Sequence, residues 1–209
     1  MYNLADFKAH DAAEVIAFMK AHPFVVICGA DASGKPVATH IPALVKERGD
    51  QLFLQAHIMR KQNHTIAFEE NQQVLAIFHG AHTYISAQLY EPQNVASTWN
   101  YMAVHASGVL RFLGDEALYN LLGELTEHFE QNPHSPALMG KMDEQYIRGL
   151  MKAIVAFEIE VTDLQHVFKL SQNKDKALQQ KIVQHLQTGD NDDQTTAAAM
   201  QQHANYAKK

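Results

Sequence analysis

The sequence is poor in cysteine, in basic residues relative to acidic ones and in long apolar runs. Its only cysteine, Cys28, has no partner for a disulfide within the chain and lies in the apolar run 24–30, which we expect to be buried. A reducing cytoplasm fits this usage. No apolar run approaches the roughly 20 residues that a membrane span requires, and the first residues lack a basic segment followed by an apolar one. We therefore expect neither export nor membrane insertion.

Positive charge is also scarce. Lysine and arginine number 17 against 23 aspartates and glutamates, and the formal net charge is −6. Such a balance does not attract a phosphate backbone, so DNA binding would need a local basic patch. The sequence offers no helix-turn-helix with a basic recognition helix either. Direct DNA binding is therefore unsupported by charge.

Common catalytic and metal-binding motifs are missing as well. The 13 histidines are scattered, with His79 and His82 as the closest pair, and neither a His-Glu-x-x-His helix nor a Cys/His cluster occurs. No serine lies in a Gly-x-Ser-x-Gly elbow, and no phosphate-binding glycine loop is present. We predict no metal ligand and identify no catalytic residue.

The composition that is present, 46% hydrophobic and 19% charged, is typical of a soluble globular protein. Capping, periodicity and turn signals predict helices near 11–22, 57–71, 115–131, 143–153 and around Leu178–Leu186, and strands at 24–30, 37–46, 52–56, 74–78, 84–86, 101–113 and 155–162. Pro42 places its strand at an edge or a bulge, and Gly108 indicates a bulge or bend. Beyond Gly189 we expect a loosely held helix or disorder.

Hairpins come first in this order, helices are inserted late, and a strand returns after them. This arrangement predicts an α+β fold that is mainly β, with an antiparallel barrel and flanking helices, rather than alternating βαβ units.

Three stretches are candidates for a binding site. Trp99, between a polar loop and a strand, offers a flat apolar face for a planar ring, or it closes one end of the core. The adjacent cations Arg60 and Lys61, at the start of a predicted helix, suit a phosphate group, or they are ordinary solvated charges. The polar run 169–174 either supplies donors to a ligand or caps the following helix through Ser171 or Asn173.

Several motifs in register resemble the PaiB-like, FMN-binding negative transcriptional regulators. They are Met1-Tyr2 with Phe7 and Asp11, Gly34-Lys-Pro-Val-Ala-Thr-His-Ile-Pro42, Ala56-His57 to Arg60-Lys-Gln-Asn63, Ile77-Phe-His-Gly-Ala-His-Thr-Tyr-Ile-Ser86, Thr98-Trp-Asn-Tyr101 and Lys169-Leu-Ser-Gln-Asn173. The resemblance covers residues 1 to about 187. It implies an FMN-binding split β-barrel over 1–187, followed by a polar tail over 188–209.

The resemblance also implies roles for individual residues. Arg60 and Lys61 would hold the FMN phosphate, and Gln55 would lie near it. Thr39, His40 and Ile41, on the second strand, would line the isoalloxazine ring. The residues that would complete the pocket, with some coming from a partner subunit, are Trp99, Asn100, Lys169 and Gln172. The loop Ala87–Ser97 departs from the family pattern at Ala87-Gln88-Leu89 and at Ser97.

From this resemblance we expect a cytoplasmic homodimer that binds FMN and acts as a transcriptional repressor, with any regulatory effect indirect. Two alternatives stay open. One is an FMN-dependent oxidoreductase acting on a small molecule, and the other is a split-barrel protein that binds haem.

Overall fold

The computed structural model describes residues 1–91 and 95–206. Within them lie six α-helices, namely α1 (Ala12–Ala21), α2 (Asn63–Glu70), α3 (Asp115–Glu130), α4 (Glu144–Met151), α5 (Lys176–Leu186) and α6 (Asn191–Tyr206). The strands are β1 (Phe24–Ala30), β2 (Pro36–Pro42), β3 (Leu44–Arg48), β4 (Gln51–Met59), β5 (Gln73–Ile85), β6 (Thr98–Phe112) and β7 (Ile154–Lys169). Residues 92–94 of the predicted variable loop and 207–209 of the predicted tail lie outside the described residues.

The seven strands form one antiparallel sheet in the order β2-β1-β5-β6-β7-β4-β3. The first hairpin is in the predicted place, with Ile27 opposite Thr39. The predicted return strand 37–46 is wrong in one respect, because it divides into β2 and β3. The pairing of β2 with β1 ends at Pro42, and the next residue, Ala43, donates to the carbonyl of Pro23 at 2.8 Å. Leu44 then begins β3 by pairing with Gln55 of β4. Pro42 thus ends an edge strand, as predicted.

Two other boundaries differ from the prediction. The stretch 57–59, predicted as helix, continues β4, and α2 begins at Asn63. The predicted strands 74–78 and 84–86 form the single strand β5, which runs through Gly80. A Cβ at Gly80 would lie 2.5 Å from the ring of Phe18, so glycine there permits a close helix contact rather than a turn. Gly108 likewise lies where a Cβ would be 2.3 Å from the carbonyl oxygen of Glu160.

Helix capping follows the sequence at one helix and departs from it at another. Asp11 caps α1 by accepting from the backbone N–H of Glu14 at 2.8 Å, as the spacing predicts. The predicted caps of α5, Ser171 or Asn173, are wrong, because Asp175 accepts from the backbone N–H of Leu178.

The segment expected to be a loosely held helix or disordered forms α6. Its buried side chains include Thr196, Ala197, Met200 and His203. The small residues of this segment let the helix pack closely, which its polar composition does not reveal.

The chain divides into two compact units. The first unit comprises Met1–His22, Phe78–His105 and Gln165–Lys209, and the second comprises Pro23–Ile77 and Ala106–Leu164. In the first unit an apolar cluster joins β5 with the last helices through Ile85, Ile182, Leu186 and Met200. In the second unit α3 and α4 bury Leu118, Leu121, Ile147 and Met151 together.

Over the described ranges, none of the helices combines the length and the apolar character that crossing a membrane requires.

Candidate functional site

Arg60 and Lys61 occupy the junction between β4 and α2 in the second unit. The backbone N–H of Arg60 donates to the carbonyl of Ala153 at 2.8 Å, which fixes where the strand ends. Its guanidinium lies 3.1 Å from Asp115, whose carboxylate is 80% exposed. An exposed ion pair of this kind is worth at most about 1 kcal/mol, so an anionic ligand can compete for Arg60.

The backbone after Arg60 takes an uncommon turn. Lys61 has φ of 60°, in the left-handed region that side-chain-bearing residues seldom adopt, and its side chain is exposed. The next residue, Gln62, flanks α2 without a side-chain capping hydrogen bond, and the first turn contains no acidic residue. The unsatisfied N–H groups of that turn therefore favour an anion.

A cavity of about 520 Å³ opens beside Arg60 in the second unit. Three cations and one carboxylate contribute to its lining, which consists of Arg60, Asp115, Arg148, Met151 and Lys152. Arg148 is paired with Glu144 at 2.7 Å, also at the surface. The cavity is large enough for part of a cofactor and is complementary to negative charge.

The edge strand β2 carries the predicted ring-binding residues. Ile41 is buried, Thr39 is half-buried and His40 is exposed, so alternate side chains point to opposite faces. The exposed ring of Phe24 stacks near that of His40, with centroids 6.1 Å apart. Because β2 ends the sheet order, half of its backbone N–H and C=O groups face away from the other strands. Those groups are available to polar atoms at the edge of a planar ring.

Gln55 belongs to a polar network on the same unit. Its side-chain amide donates to Glu158 at 2.7 Å, and Arg48 holds both oxygens of that carboxylate, at 2.6 and 3.0 Å. The hydrogen bonds to Glu158 raise the pKa of Arg48 above its ordinary value. Gln55 is half-buried and keeps a fixed orientation, as a positioning group does.

Trp99 lies in the first unit at the start of β6. Its side chain is 53% exposed, so it does not close a core, and the ring of Tyr84 meets it edge-on with centroids 6.0 Å apart. Both aromatic rings line a cavity of about 420 Å³ that also contains Asp190, Asp192 and Asp193. This cavity offers apolar ring surface together with negative charge.

The remaining predicted residues of the first unit make internal contacts. Asn100 is fully buried, accepts from Ser171 at 3.0 Å and donates to the sulfur of Met200 at 3.6 Å. The side chain of Gln172 stabilises the local turn: its amide N–H donates to the carbonyl of Phe168, and its amide oxygen accepts from the N–H of Leu170. Asn100 therefore presents no accessible group to a ligand.

Lys169 is one of two half-buried cations in this segment, the other being Lys174. Its ammonium donates to the hydroxyl of Thr98 and lies 5.8 Å from the centre of the Phe7 ring. Burial, and then the neighbouring Lys174, lower its pKa below the ordinary value for lysine. The structure thus places Arg60 and Lys61 at one junction of the second unit, and in the first unit it leaves Trp99 exposed and Lys169 half-buried.

Sequence reasoning missed Asp115, Arg148 and Lys152. Asp115 is the first residue of α3, and Lys152 directly follows α4. Nothing in the local sequence distinguishes these two residues from ordinary solvated charges. Only the packing of α3 against β4 and against α4 in the second unit places them at one cavity.

Comparison with known proteins identifies the family to which the chain belongs. The sequence model of the family described as "Putative FMN-binding domain" matches residues 1–163. The chain is 32% identical over 191 residues, or 91% of each chain, to Protease synthase and sporulation protein PAI 2 of Bacillus subtilis (strain 168). The chain belongs to this PaiB-like FMN-binding family.

Solved structures show the fold. The conserved hypothetical protein Rv2991 from Mycobacterium tuberculosis superposes with a TM-score of 0.57 at 14% identity, covering 84% of this chain and 94% of that one. The FAD and heme binding protein from Mycobacterium smegmatis gives a TM-score of 0.56 at 15% identity, covering 76% and 71%. The predicted fold, an antiparallel split β-barrel with flanking helices, is confirmed. Family membership confirms that the cofactor is a flavin, consistent with the predicted FMN.

Proposed function

We propose that this protein binds FMN with its phosphate at the junction of β4 and α2, where Arg60 and Lys61 meet the uncapped start of the helix. The observation that carries the proposal is the coincidence of two cations, free helix N–H groups and a cationic cavity within one unit. Each feature alone is common. Their combination suits a dianionic phosphate, because charge-assisted bonds and the helix dipole act on the same group.

The isoalloxazine ring lies along β2 in this proposal. Thr39, His40 and Ile41 supply the outward backbone groups of an edge strand, and Gln55, fixed by Glu158, orients the phosphate end. Trp99 and Lys169, with Gln172 shaping its turn, complete the pocket in a homodimer. Asn100 supports that turn from the core and does not touch the cofactor.

The chemistry of the holoprotein comes from the flavin, which transfers electrons when bound. The chain binds and orients it. No side chain near Arg60 provides an obvious nucleophile or acid–base pair among the described residues, so catalysis by the protein's own groups is not part of the proposal.

In the cell we propose that the protein is a cytoplasmic, flavin-bound repressor that acts indirectly. The similarity to a protein named for protease synthesis and sporulation supports a regulatory role. The net charge of −6 supports an indirect effect rather than contact with DNA. The enzyme alternative predicts turnover of NAD(P)H by the holoprotein, and direct regulation predicts salt-sensitive binding to promoter DNA.

Haem binding is the second candidate, supported by the likeness to a protein described as binding both FAD and haem. The absorption spectrum of the purified protein separates the two, since flavin and haem have different visible bands. We expect a yellow protein whose released chromophore co-elutes with FMN.

The test of the phosphate site is an FMN titration of the Arg60→Ala/Lys61→Ala variant. Each charge-assisted bond is worth about 1.5–3 kcal/mol, so we expect affinity to fall by a factor of roughly 100 or more. A matched control, Lys46→Ala/Arg111→Ala, removes the same charge from two exposed ion pairs of the second unit. We expect its affinity to stay within about threefold of wild type. Equal losses of affinity in both variants would show that the effect comes from net charge alone. No loss in either variant would show that Arg60 and Lys61 do not hold the phosphate.

A further inference from the structure

We infer that His10, Glu14 and His203 form a binding site for a divalent transition-metal ion. One ligand atom from each residue lies within 4.8 Å of the others. The three residues come from three places in the first unit: the residue before the cap of α1, the first turn of α1, and the last turns of α6. Two imidazoles and one carboxylate are a ligand set that suits zinc and related ions.

The hydrogen bonds around the cluster orient its ligand atoms. The Nε2 atom of His10 lies 3.1 Å from the backbone carbonyl of His203, and as the donor it leaves the lone pair of Nδ1 free. One oxygen of Glu14 accepts from the backbone N–H of His10 at 2.7 Å, and its other oxygen is free to face His203. Such outer contacts are what fixes histidine and carboxylate ligands in metal sites.

Burial makes a partner for the Glu14 carboxylate necessary. Glu14 is 8% exposed and His203 is 6% exposed, and an isolated carboxylate is costly at such a position. The Nδ1 atom of His203 lies 2.7 Å from the Glu14 oxygen, so a hydrogen bond from histidine is one solution. A metal ion that replaces this hydrogen bond is the other solution: the two atoms move apart slightly to bind it, and His10 is recruited as a third ligand.

The rings of His10 and His203 support this arrangement. They stack with centroids 4.3 Å apart at an interplanar angle of 20°. This stacking holds the two rings side by side, and imidazole nitrogen is a common metal ligand.

A cavity of about 200 Å³ gives access to the cluster within the first unit. Glu14, His203 and Tyr206 line it together with apolar side chains and with His22, Thr195 and Gln202. An ion with three protein ligands thus keeps one position open toward the cavity. The same ion would join α1 to α6, whose ligands are 189 residues apart in sequence, and would stabilise the folded chain by mass action.

The experiment uses the full chain after treatment with a chelator. Zn²⁺ is titrated in competition with a chromophoric chelator, and Co²⁺ is added separately to record its visible absorption bands. We expect one tight site, tetrahedral Co²⁺ bands and a higher melting temperature with one equivalent of Zn²⁺.

The deciding variant is His10→Gln, since His10 is exposed and the Glu14–His203 pair stays intact. We expect at least a tenfold loss of Zn²⁺ affinity and loss of the Co²⁺ bands, with the melting temperature of the metal-free protein within a degree or two of wild type. His203→Gln should lose the same signals. His128→Gln, at an exposed histidine of α3, is the control and should bind as wild type does, because among the described residues His128 belongs to no such cluster.

The inference is overturned if His10→Gln and wild type bind Zn²⁺ equally, or if one equivalent of Zn²⁺ leaves the melting temperature unchanged. Either result would make the cluster a hydrogen-bonded contact between two helices and nothing more. Neither result bears on the flavin site, which lies on other residues.

Discussion

The two units carry cavities of opposite character. The cavity beside Arg60 in the second unit is lined by three cations and one carboxylate. The lining of the cavity beside Trp99 in the first unit includes three aspartates, two histidines and two exposed aromatic rings. An anionic tail suits the former, and a flat apolar surface is available at the latter.

Polar groups in the two units also differ in how they are held. Around Arg60 they are exposed and weakly paired, so that a ligand can replace their partners at small cost. Around Asn100 they are buried and already bonded to one another. Residue type alone therefore does not identify a ligand contact; what matters is whether the group's present partner can be displaced.

The largest expected effect on stability comes from the buried side of this contrast. Asn100→Ala leaves the Ser171 hydroxyl without its acceptor, which should lower the free energy of unfolding by about 1–3 kcal/mol. Urea unfolding measures the loss, and FMN affinity of the folded variant should stay within about twofold. The control Asn173→Ala, at an exposed position of the same segment, should cost less than about 0.5 kcal/mol. Weaker FMN binding at unchanged stability would instead place Asn100 in the pocket.

A smaller effect on the free energy of unfolding is expected at acidic pH. Burial lowers the pKa of His57, and its Nδ1 atom is buried without a hydrogen bond to any described residue. The unfolded chain then binds the proton more readily than the folded one, so the free energy of unfolding should fall as pH decreases below about 6.5. His64, His79, His105 and His166 shift in the same direction, each chiefly through burial.

Urea unfolding at pH 7.5 and pH 5.5 tests this directly. His57→Gln should lose less stability on acidification than wild type, whereas the exposed His128→Gln should lose as much as wild type. An equal loss in all three proteins would assign the acid sensitivity to the other histidines.

The smallest expected effect is a gain in FMN affinity. Asp115→Asn removes the carboxylate that now pairs with Arg60, and FMN affinity should rise by about twofold to threefold, in line with the small worth of exposed ion pairs. Stability should change by less than about 0.5 kcal/mol. Asp192→Asn, in the acidic cavity, should leave FMN affinity unchanged. If it raised affinity equally, the contrast between the two cavities would have no bearing on binding.

Much of the fold could be predicted from the sequence because helix caps and turns are determined by residues close together in the chain. Asp11 and Glu14 mark the start of α1, and the turn after Asp31 marks the first hairpin, where the Asp31 carboxylate accepts from Ser33 and Lys35. Long strands were harder to predict. Glycine at Gly80 looks like a turn from the sequence, yet its place is set by the ring of Phe18, which lies 62 positions earlier.

The candidate site shows the same limit. Arg60 and Lys61 are adjacent, so the sequence reveals them as a pair, and the family resemblance gave them a role that stays a prediction. His10 and Glu14 stand four residues apart at the start of a helix, but His203 joins them only through the packing of α6. Contacts over such separations have no local signature, which is why no metal ligand was predicted.

The most direct test of the central claim compares FMN with riboflavin, which lacks the phosphate, on wild type and on Arg60→Ala/Lys61→Ala. If the junction of β4 and α2 holds the phosphate, wild type binds FMN at least about 100-fold more tightly than riboflavin, and the variant binds the two within about threefold. If the preference for FMN is the same in both proteins, the phosphate lies elsewhere and the account is contradicted.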